Sequence, residues 1–379
     1  MKITVDRERL AADFVLLCET DSPSREEGAI AVLLQAMFTR LGADEILEDD
    51  SATVTGSDTG NLLIRFAGSA DREPIFLNCH MDTVEPGRGV KVRRESDTFF
   101  SSGDTILGSD DKSGIAAILE AIRCVRENNL PLRPLEIILT TCEEIGLLGA
   151  KSLDPKMISA RIGYALDSTG FGTVIIGAPA ANRLEITLRG VAAHAGLHPE
   201  WGINAIALAA QALNAAPMGR IDEESTVNFG TIRGGTATNI VPDQVTIQGE
   251  VRSHCVATLD SLTRQVEYAF TRAVVDWCDP SGQAKGKPEL IFTANPDFPA
   301  MRLDQNDPAI RLIDRAAASI GRRLKYKIAG GGSDANIFNG HGLQTAIIAT
   351  GMTHVHSTDE QVDLQDMVDL TRMLIALIT

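Results

Sequence analysis

The stretch "LEIILTTCEEIGLLGA" (residues 135–150) runs from apolar residues into two adjacent glutamates and then glycines. Its first part, 135–142, has few polar breaks, which is typical of an interior strand in a sheet covered on both faces. Neighbouring side chains of a strand point to opposite faces, so Glu143 and Glu144 are expected to point in different directions. The stretch therefore indicates a covered sheet with two separately directed carboxylates at the end of one strand.

Strands and helices alternate on both sides of this stretch. Further strands are predicted at 61–66, 74–79, 162–167 and 345–350, and helices at 6–19, 112–128, 308–320 and 364–378. A capping box from Ser24 to Glu27 predicts the start of another helix, which stops at Gly42. Such alternation is typical of an α/β layer architecture.

The pattern changes between residues 180 and 298. Strands are predicted at 182–190, 226–235, 244–253 and 287–295, and helices at 202–217 and 258–278. This order is β-α-β-β-α-β, the split βαβ pattern. After Pro299 the chain returns to α/β character, so 1–179 and 299–379 are predicted to form one discontinuous domain with 180–298 inserted into it.

Composition and charge narrow the functional classes. The chain has 379 residues and a formal net charge of −16, which argues against binding to nucleic acid or to an anionic membrane. No run approaches the roughly 20 apolar residues of a membrane span. The N-terminus is too charged for a signal peptide, and none of the six cysteines forms a C-x-x-C pair. We expect a soluble, cytoplasmic protein with reduced thiols.

Candidate metal ligands stand where predicted strands end or helices begin. They are His80, Asp82, Asp110, Asp111, Glu143, Glu144, Asp167, His354 and His356. The carboxyl ends of parallel strands converge on one crevice, where many carboxylates would repel each other without a cation. Imidazole and carboxylate together suit Zn²⁺, with Mn²⁺ or Co²⁺ as alternatives, and one carboxylate can bridge two metals. In the H-x-D pair, Asp82 could orient the imidazole of His80.

Each of these features has a simpler interpretation when taken alone. Asp110 could cap the helix that follows it, because the helix dipole favours an anion there. Asp167 could be a turn residue, and the glutamate pair could lie in a solvated loop. The coincidence of such features at element ends favours a metal centre.

Eight segments, in order along the chain, carry a resemblance to a known family. They are "DSPSREEG", "NCHMDTV", "GDTILGSDDKSG", "TTCEEIGLLGAKSLD", "GVAAHAGLHPEWGINAI", "GGTATNIVPDQVTIQGEVRS", "GGGSDANIFNGHG" and "HVHSTDE". Over nearly its whole length the chain resembles the M20 family of metallopeptidases, in particular the peptidase T-like branch. The resemblance implies a two-zinc aminopeptidase-like catalytic domain, 1–179 and 299–379, with an inserted ferredoxin-like lid and dimerisation domain, 180–298.

The resemblance also implies roles for single residues around two Zn²⁺ per chain. Asp110 would bridge the two metals. The other ligands would be His80 and Asp167 for one metal and Glu144 and His356 for the second. Asp82 would orient His80, and Glu143 would be the general base. Two adjacent carboxylates would then serve two tasks, one on a metal and one on the attacking water.

Substrate contacts are implied for His194, Asn239, Arg252, Gly332 and Ser333. Arg252 could instead be a surface charge, and the glycine-rich stretch before Ser333 could be an ordinary tight turn. Many relatives carry asparagine two residues ahead of the last histidine ligand. His354 occupies that position here, which leaves the fine specificity open.

The resemblance implies a metal-dependent exopeptidase that removes the N-terminal residue of short peptides, tripeptides above all. It would use a metal-activated water and a glutamate base, and would form a homodimer through the lid. The alternative is a related amidohydrolase, such as an N-acyl amino-acid deacylase, a desuccinylase or a carboxypeptidase. A third interpretation, a catalytically inactive binding protein, is opposed by the presence of Glu143 and Asp110.

Overall fold

The computed structural model describes residues 4–68 and 71–379. It divides into two compact units. The first comprises the described residues up to Gly177 with Arg302–Ala329 and Ser333–Thr379, and the second comprises Ala178–Met301 with Gly330–Gly332. The roles of these units as catalytic domain and lid stay predictions.

The strands follow one another along the chain in this order. They are β1 Glu45–Glu48, β2 Leu62–Phe66, β3 Ile75–His80, β4 Val92–Glu95, β5 Thr98–Ser101, β6 Leu135–Thr140, β7 Ile162–Ala165, β8 Phe171–Ala178, β9 Ala180–Arg189, β10 Gly219–Arg220, β11 Ser225–Gly234, β12 Gln244–Ser253, β13 Glu289–Phe298, β14 Met301–Arg302, β15 Lys325–Ile328, β16 Gln344–Thr350 and β17 Gln361–Asp363.

The α-helices lie between these strands. They are α1 Arg7–Cys18, α2 Gly28–Arg40, α3 Ala52–Thr55, α4 Ser109–Glu127, α5 Leu148–Ser152, α6 Ala205–Ala215, α7 Val256–Val275, α8 Pro308–Ser319, α9 Asp334–Gly340 and α10 Leu364–Ile378. Every strand and helix predicted from the sequence overlaps an observed element of the same type.

The main sheet of the first unit has the order β1-β2-β6-β3-β7-β16-β8-β14, and β15 pairs with β8. Its centre is parallel, because β3 pairs in parallel with both β6 and β7. Every residue of β3 and β6 is buried. Leu77 packs in the larger apolar core, whereas its neighbour Phe76 packs on the other face against Phe338. The prediction of an interior strand at 135–142 in a sheet covered on both faces is confirmed.

The predicted capping box at the start of α2 is wrong. The helix begins only at Gly28, whose amide donates to the carboxylate of Asp58, far along the chain. Ser24 instead donates its hydroxyl to Asp82, and Glu27 accepts the backbone amide of Cys142. Both side chains are taken by tertiary contacts, which a local pattern does not reveal.

The second unit has an antiparallel sheet with the order β10-β11-β12-β9-β13. Helices α6 and α7 pack against this sheet around one apolar core. The predicted β-α-β-β-α-β succession is confirmed, with the two-residue strand β10 as an addition.

Other features concern the chain as a whole. A small sheet with the order β17-β5-β4, which the sequence did not predict, belongs to the first unit. All six cysteines are free thiols, of which Cys255 and Cys278 are exposed. Among residues 4–68 and 71–379, none of the helices has the length and apolar character needed to cross a membrane.

Candidate metal centre

The carboxyl ends of three parallel strands bring the candidate ligands to one edge of the main sheet. His80 is the last residue of β3, Glu143 and Glu144 follow β6, and Asp167 follows β7. Asp110 lies at the first turn of α4, and its backbone dihedrals depart from those of a helix. The topology of a parallel sheet therefore explains why residues far apart in sequence meet here.

The carboxylate of Asp110 lies between two histidines. Its Oδ1 is 3.1 Å from Nε2 of His80, and its Oδ2 is 3.3 Å from Nε2 of His356. Nε2 of His356 is also 2.9 Å from Oε1 of Glu144. His80, Asp110 and Glu144 each offer one ligand atom, and these atoms lie within 4.8 Å of one another. One carboxylate oxygen thus faces each imidazole.

Asp82 is fully buried directly behind His80. Nδ1 of His80 is 2.9 Å from the backbone oxygen of Asp82 and 3.5 Å from its Oδ1. The carboxylate accepts hydrogen bonds from the hydroxyl of Ser24 (2.6 Å) and from the amides of Glu143 (2.9 Å) and Glu144 (3.2 Å). Burial opposes ionisation, but the hydrogen bonds from His80, Ser24 and Glu143 outweigh it and lower the pKa of Asp82.

Several carboxylates of the site are held close together away from water. Burial and the nearby charge of Asp167 raise the pKa of Glu143 well above its ordinary value. Burial and the charge of Asp110 raise the pKa of Asp167 to about 8. Burial raises the pKa of Asp334 to about 6. Burial is the main cause of these raised pKa values, and a bound cation would lower them because it favours the ionised carboxylates.

The residues present fit a metal ion. Two imidazoles and several carboxylates form the donor set that Zn²⁺ takes in proteins. Buried carboxylate oxygens of Asp111 and Asp334, Oδ1 in each case, have no hydrogen-bond partner within the described chain. Asp110 directs one carboxylate oxygen towards each of the two histidines.

The segment that carries the glutamate pair is held in place by hydrogen bonds from four of its consecutive backbone amides. The amide of Thr141 donates to Oδ1 of Asn61 (3.0 Å), and that of Cys142 donates to Oε1 of Glu27 (2.9 Å). The next two amides donate to Asp82. Neither Asn61 nor Glu27 was predicted to have a role here, because their partners lie 80 and 115 positions away in sequence.

Glu360 was also missed by the sequence analysis, although the segment "HVHSTDE" contains it. Its side chain is 1% exposed and accepts hydrogen bonds from the turn before Asp110. Oε2 accepts the amides of Leu107 and Gly108 at 2.8 Å, and Oε1 accepts the hydroxyl of Ser109 at 2.6 Å and the amide of Asp110 at 3.1 Å. Glu360 therefore joins the turn of Asp110 to the loop that carries His356.

Two of the predicted substrate residues lie exposed in the second unit. His194 accepts the amide of Gly196 at its Nδ1, at 3.2 Å. The backbone oxygen of Asn239 accepts the amide of Ala195 at 2.9 Å, so the side chains of His194 and Asn239 belong to neighbouring segments. His354, in the first unit, is exposed, and its backbone oxygen accepts the hydroxyl of Ser357 at 2.7 Å.

The remaining predicted substrate residues are structurally constrained. Nη2 of Arg252 lies 3.0 Å from Oε2 of Glu250, so this arginine is paired rather than free. A Cβ at Gly332 would come within 2.5 Å of the ring of Phe298, so only glycine fits there. Ser333 belongs to the first unit and caps α9. The substrate roles of all five residues stay predictions.

A covered α/β sheet that gathers imidazoles and carboxylates at its carboxyl edge in this way offers a possible metal site. The model of peptidase family M20/M25/M40 matches residues 76–379, and the chain belongs to this family. The predicted family and the α/β fold class are thereby confirmed, and the chain is a metallopeptidase of the peptidase T-like type.

Three relatives match almost the whole chain. The uncharacterized protein YqjE of Bacillus subtilis strain 168 is 39% identical over 375 residues, which are 99% of this chain and 98% of YqjE. The crystal structure of the aminopeptidase PepT from Bacillus cereus has 38% identity and a TM-score of 0.89, with 99% and 98% of the two chains covered. A tripeptidase from Staphylococcus aureus has 31% identity and a TM-score of 0.90 with the same coverage.

Proposed function

We propose that this chain is an exopeptidase that removes the N-terminal residue of short peptides, with tripeptides as the main substrates. The observation that carries the hydrolytic part of this proposal is the carboxylate of Asp110, which faces a histidine with each oxygen, next to the half-buried pair Glu143 and Glu144. The aminopeptidase and the tripeptidase that match this chain support the substrate class.

The residues at the sheet edge would hold two divalent metal ions, Zn²⁺ in the first place, with Co²⁺ or Mn²⁺ as alternatives. The proposed ligands are Asp110 for both ions, His80 and Asp167 for one, and Glu144 and His356 for the other. When bound, such ions lower the pKa of a water molecule and polarise the carbonyl group of the substrate. Asp82 orients His80, and Glu360 holds the backbone of Asp110 in place.

Glu143 is the proposed general base. Its backbone is fixed by Asp82, and its buried carboxylate has a raised pKa, which suits a group that accepts a proton and later gives it back. Glu143 accepts a proton from the attacking water as the water oxygen bonds to the peptide carbon. It then donates that proton to the leaving nitrogen as the carbon–nitrogen bond breaks.

The proposed substrate contacts are His194, Asn239, Arg252, Gly332 and Ser333. The guanidinium of Arg252 suits a carboxylate of the peptide, which would replace Glu250 as its partner. A homodimer formed through the second unit and a cytoplasmic location belong to the same proposal.

The test compares three forms of tri-alanine with the zinc-loaded protein: the free peptide, the N-acetylated peptide and the C-terminal amide. We expect cleavage of the free peptide with release of the first alanine, slower cleavage of the amide because it lacks the carboxylate proposed to bind Arg252, and no cleavage of the N-acetylated form. Cleavage of the N-acetylated peptide but not of the amide would overturn the proposal in favour of a carboxypeptidase or deacylase.

A further inference from the structure

A second pocket lies in the first unit, at the edge of the main sheet opposite the candidate metal centre. Its volume is about 660 Å³, and it is lined by residues that precede β3 and β6, by the first residue of β7 and by the first two turns of α8. The strands β3 and β6 have six residues each, so roughly 20 Å separate this edge from the carboxyl edge. The pocket is therefore distinct from the proposed catalytic site.

Four of the side chains that line this pocket are arginines. They are Arg72, Arg133, Arg311 and Arg315. Within residues 4–68 and 71–379, none of these guanidinium groups forms an ion pair or a hydrogen bond. The lining also includes the carboxylates of Asp71, Glu73 and Asp314, so the four arginines give the pocket a formal net charge of +1 in a chain whose net charge is −16.

Arg133 is the central residue of this arginine pocket. It is only 8% exposed, and its Nε and Nη1 atoms are buried without a hydrogen-bond partner in the described chain. Its backbone amide donates to the carbonyl of Ile378, which fixes the position of the residue. Burial lowers the pKa of Arg133, and the positive charges of Arg72 and Arg315 lower it further, whereas the charges of Tyr164 and Glu73 act in the opposite direction. A buried charge with like-charged neighbours and no partner is unfavourable unless an anion compensates it.

Among the described residues, no carboxylate of the pocket forms an ion pair with Arg133, and the charge of Glu73 offsets the cost of burial only in part. Asp314 accepts a hydrogen bond from the hydroxyl of Tyr326, and Glu73 is exposed. Arg311 and Arg315 are four residues apart in α8, so they share one face of the helix, and both are exposed to solvent. A ligand can thus approach from solvent past these two residues towards Arg133.

We propose that the arginine pocket binds a small anion that carries a phosphate group. The planar guanidinium fork binds phosphate oxygens in pairs, and a phosphate group has enough oxygens to be bound by more than one arginine of the lining. The volume lies in the range of small-molecule sites and exceeds that of a bare phosphate ion. A phosphate monoester therefore fits the pocket better than inorganic phosphate does.

The test is calorimetric titration of the metal-loaded protein with inorganic phosphate and, separately, with adenosine monophosphate, at constant ionic strength. Arg133→Met removes the buried charge, and the double variant Arg311→Gln/Arg315→Gln keeps Arg133 and changes only exposed residues. Arg323→Gln, an exposed arginine outside the pocket, is the matched control. Phosphate that binds at the metal centre would inhibit peptide hydrolysis equally in all four proteins, so this binding can be separated from the pocket.

We expect adenosine monophosphate to bind the wild-type protein and the Arg323→Gln control alike. The affinity should fall at least about tenfold in Arg133→Met and in the double variant, since each loses charge-assisted hydrogen bonds. If the pocket variants bind inorganic phosphate more weakly but bind adenosine monophosphate as the wild type does, the free phosphate ion is the ligand. Equal affinities in all four proteins, or no binding to the wild type, would overturn the proposal. The outcome does not depend on whether the protein cleaves tri-alanine.

Discussion

Asp82 shows how one carboxylate can connect two parts of the candidate site. One oxygen faces the imidazole of His80 and accepts the amide of Glu143, while the other accepts the amide of Glu144 and the hydroxyl of Ser24. A ligating histidine commonly needs a carboxylate that fixes its orientation. The same carboxylate here also fixes the backbone of the proposed base.

The role of a single residue, Glu143, can be tested with the variant Glu143→Gln. The substitution keeps the size of the side chain but removes its ability to accept a proton. We expect the variant to bind as much metal as the wild type and to lose about 10²- to 10⁴-fold in kcat. Metal content by mass spectrometry and hydrolysis of tri-alanine are measured on the same preparation. A wild-type rate in the metal-loaded variant would exclude Glu143 as the base.

The segment after β6 is the element that places both glutamates. Its four consecutive amides are held by side chains from three separate parts of the chain, among them Glu27. Glu27 is fully buried, and it also accepts the hydroxyl of Ser57. Within the described chain its carboxylate bonds to Cys142 and Ser57, neither of which is a proposed ligand, so we regard it as a positioning residue.

Glu27→Ala should therefore disturb a segment rather than a single contact. The buried amide of Cys142 would lose its acceptor, at a cost of about 1–3 kcal/mol in the free energy of unfolding. We expect kcat to fall more than KM changes, because Glu143 loses its fixed position. Chemical denaturation and steady-state kinetics measure the two effects.

Two variants control this prediction. Glu27→Gln keeps an acceptor oxygen for the amide of Cys142 and should restore most of the activity. Within the described residues, the neighbouring Glu26 is exposed and its carboxylate pairs with Arg88 alone, so Glu26→Ala should behave like the wild type. An inactive Glu27→Gln would show that the negative charge itself is needed, and the positioning role would be refuted.

The stability of the whole molecule depends on the charged groups of the candidate metal centre, whose protonation varies with pH and with bound metal. Contacts with Asp110 and Glu144 raise the pKa of His356 from its ordinary 6.5 to about 10. Burial raises the pKa of Asp167 from 3.8 to about 8. The folded, metal-free protein therefore binds these protons more tightly than the unfolded chain does.

Both raised pKa values make the metal-free protein less stable as the pH rises. The contribution of His356 to stability is complete below pH 6.5 and is lost as the pH rises through 10, and that of Asp167 is lost as the pH rises to about 8. We expect the melting temperature of chelator-treated protein to fall between pH 6.5 and pH 10. Calorimetry at several pH values measures this fall.

Bound metal should suppress this dependence, because a cation keeps His356 neutral and Asp167 ionised at all these pH values. His356→Gln is the control for the general effect of rising negative charge, and its metal-free form should show a smaller fall. A metal-free wild type whose melting temperature stays constant or rises over this range would contradict the assignment of the shifts.

The proposed homodimer also belongs to the scale of the whole molecule. Strand β13 is an edge of the sheet in the second unit, and Ile291 on this strand is 47% exposed. Exposed edges of this kind are suited to pairing with another chain. We expect light scattering at micromolar concentration to give twice the chain mass of 40.6 kDa. A mass of one chain would refute the dimer.

Much of the fold could be predicted because its signals are local. Periodicity alone located β12 to the residue, 244–253, and α10 at 364–378. The three-stranded sheet of β4, β5 and β17 was missed, because its strands are only three or four residues long and pair across distant parts of the chain. The capping box failed for a related reason, since Ser24 and Glu27 bond to distant residues.

The sequence by itself determined the α/β class, the succession of elements and the positions of the candidate ligands at strand ends, because strand and helix periods are short-range properties of the chain. Only the tertiary structure showed that Asp110 faces His80 and His356 with separate oxygens, and that Glu27, Asn61 and Glu360 hold the surrounding loops. It alone showed that Nε and Nη1 of Arg133 are buried without a hydrogen-bond partner in the described chain. Burial and hydrogen bonding between distant residues depend on how the strands are ordered in the sheet, and no local pattern in a single sequence encodes that order.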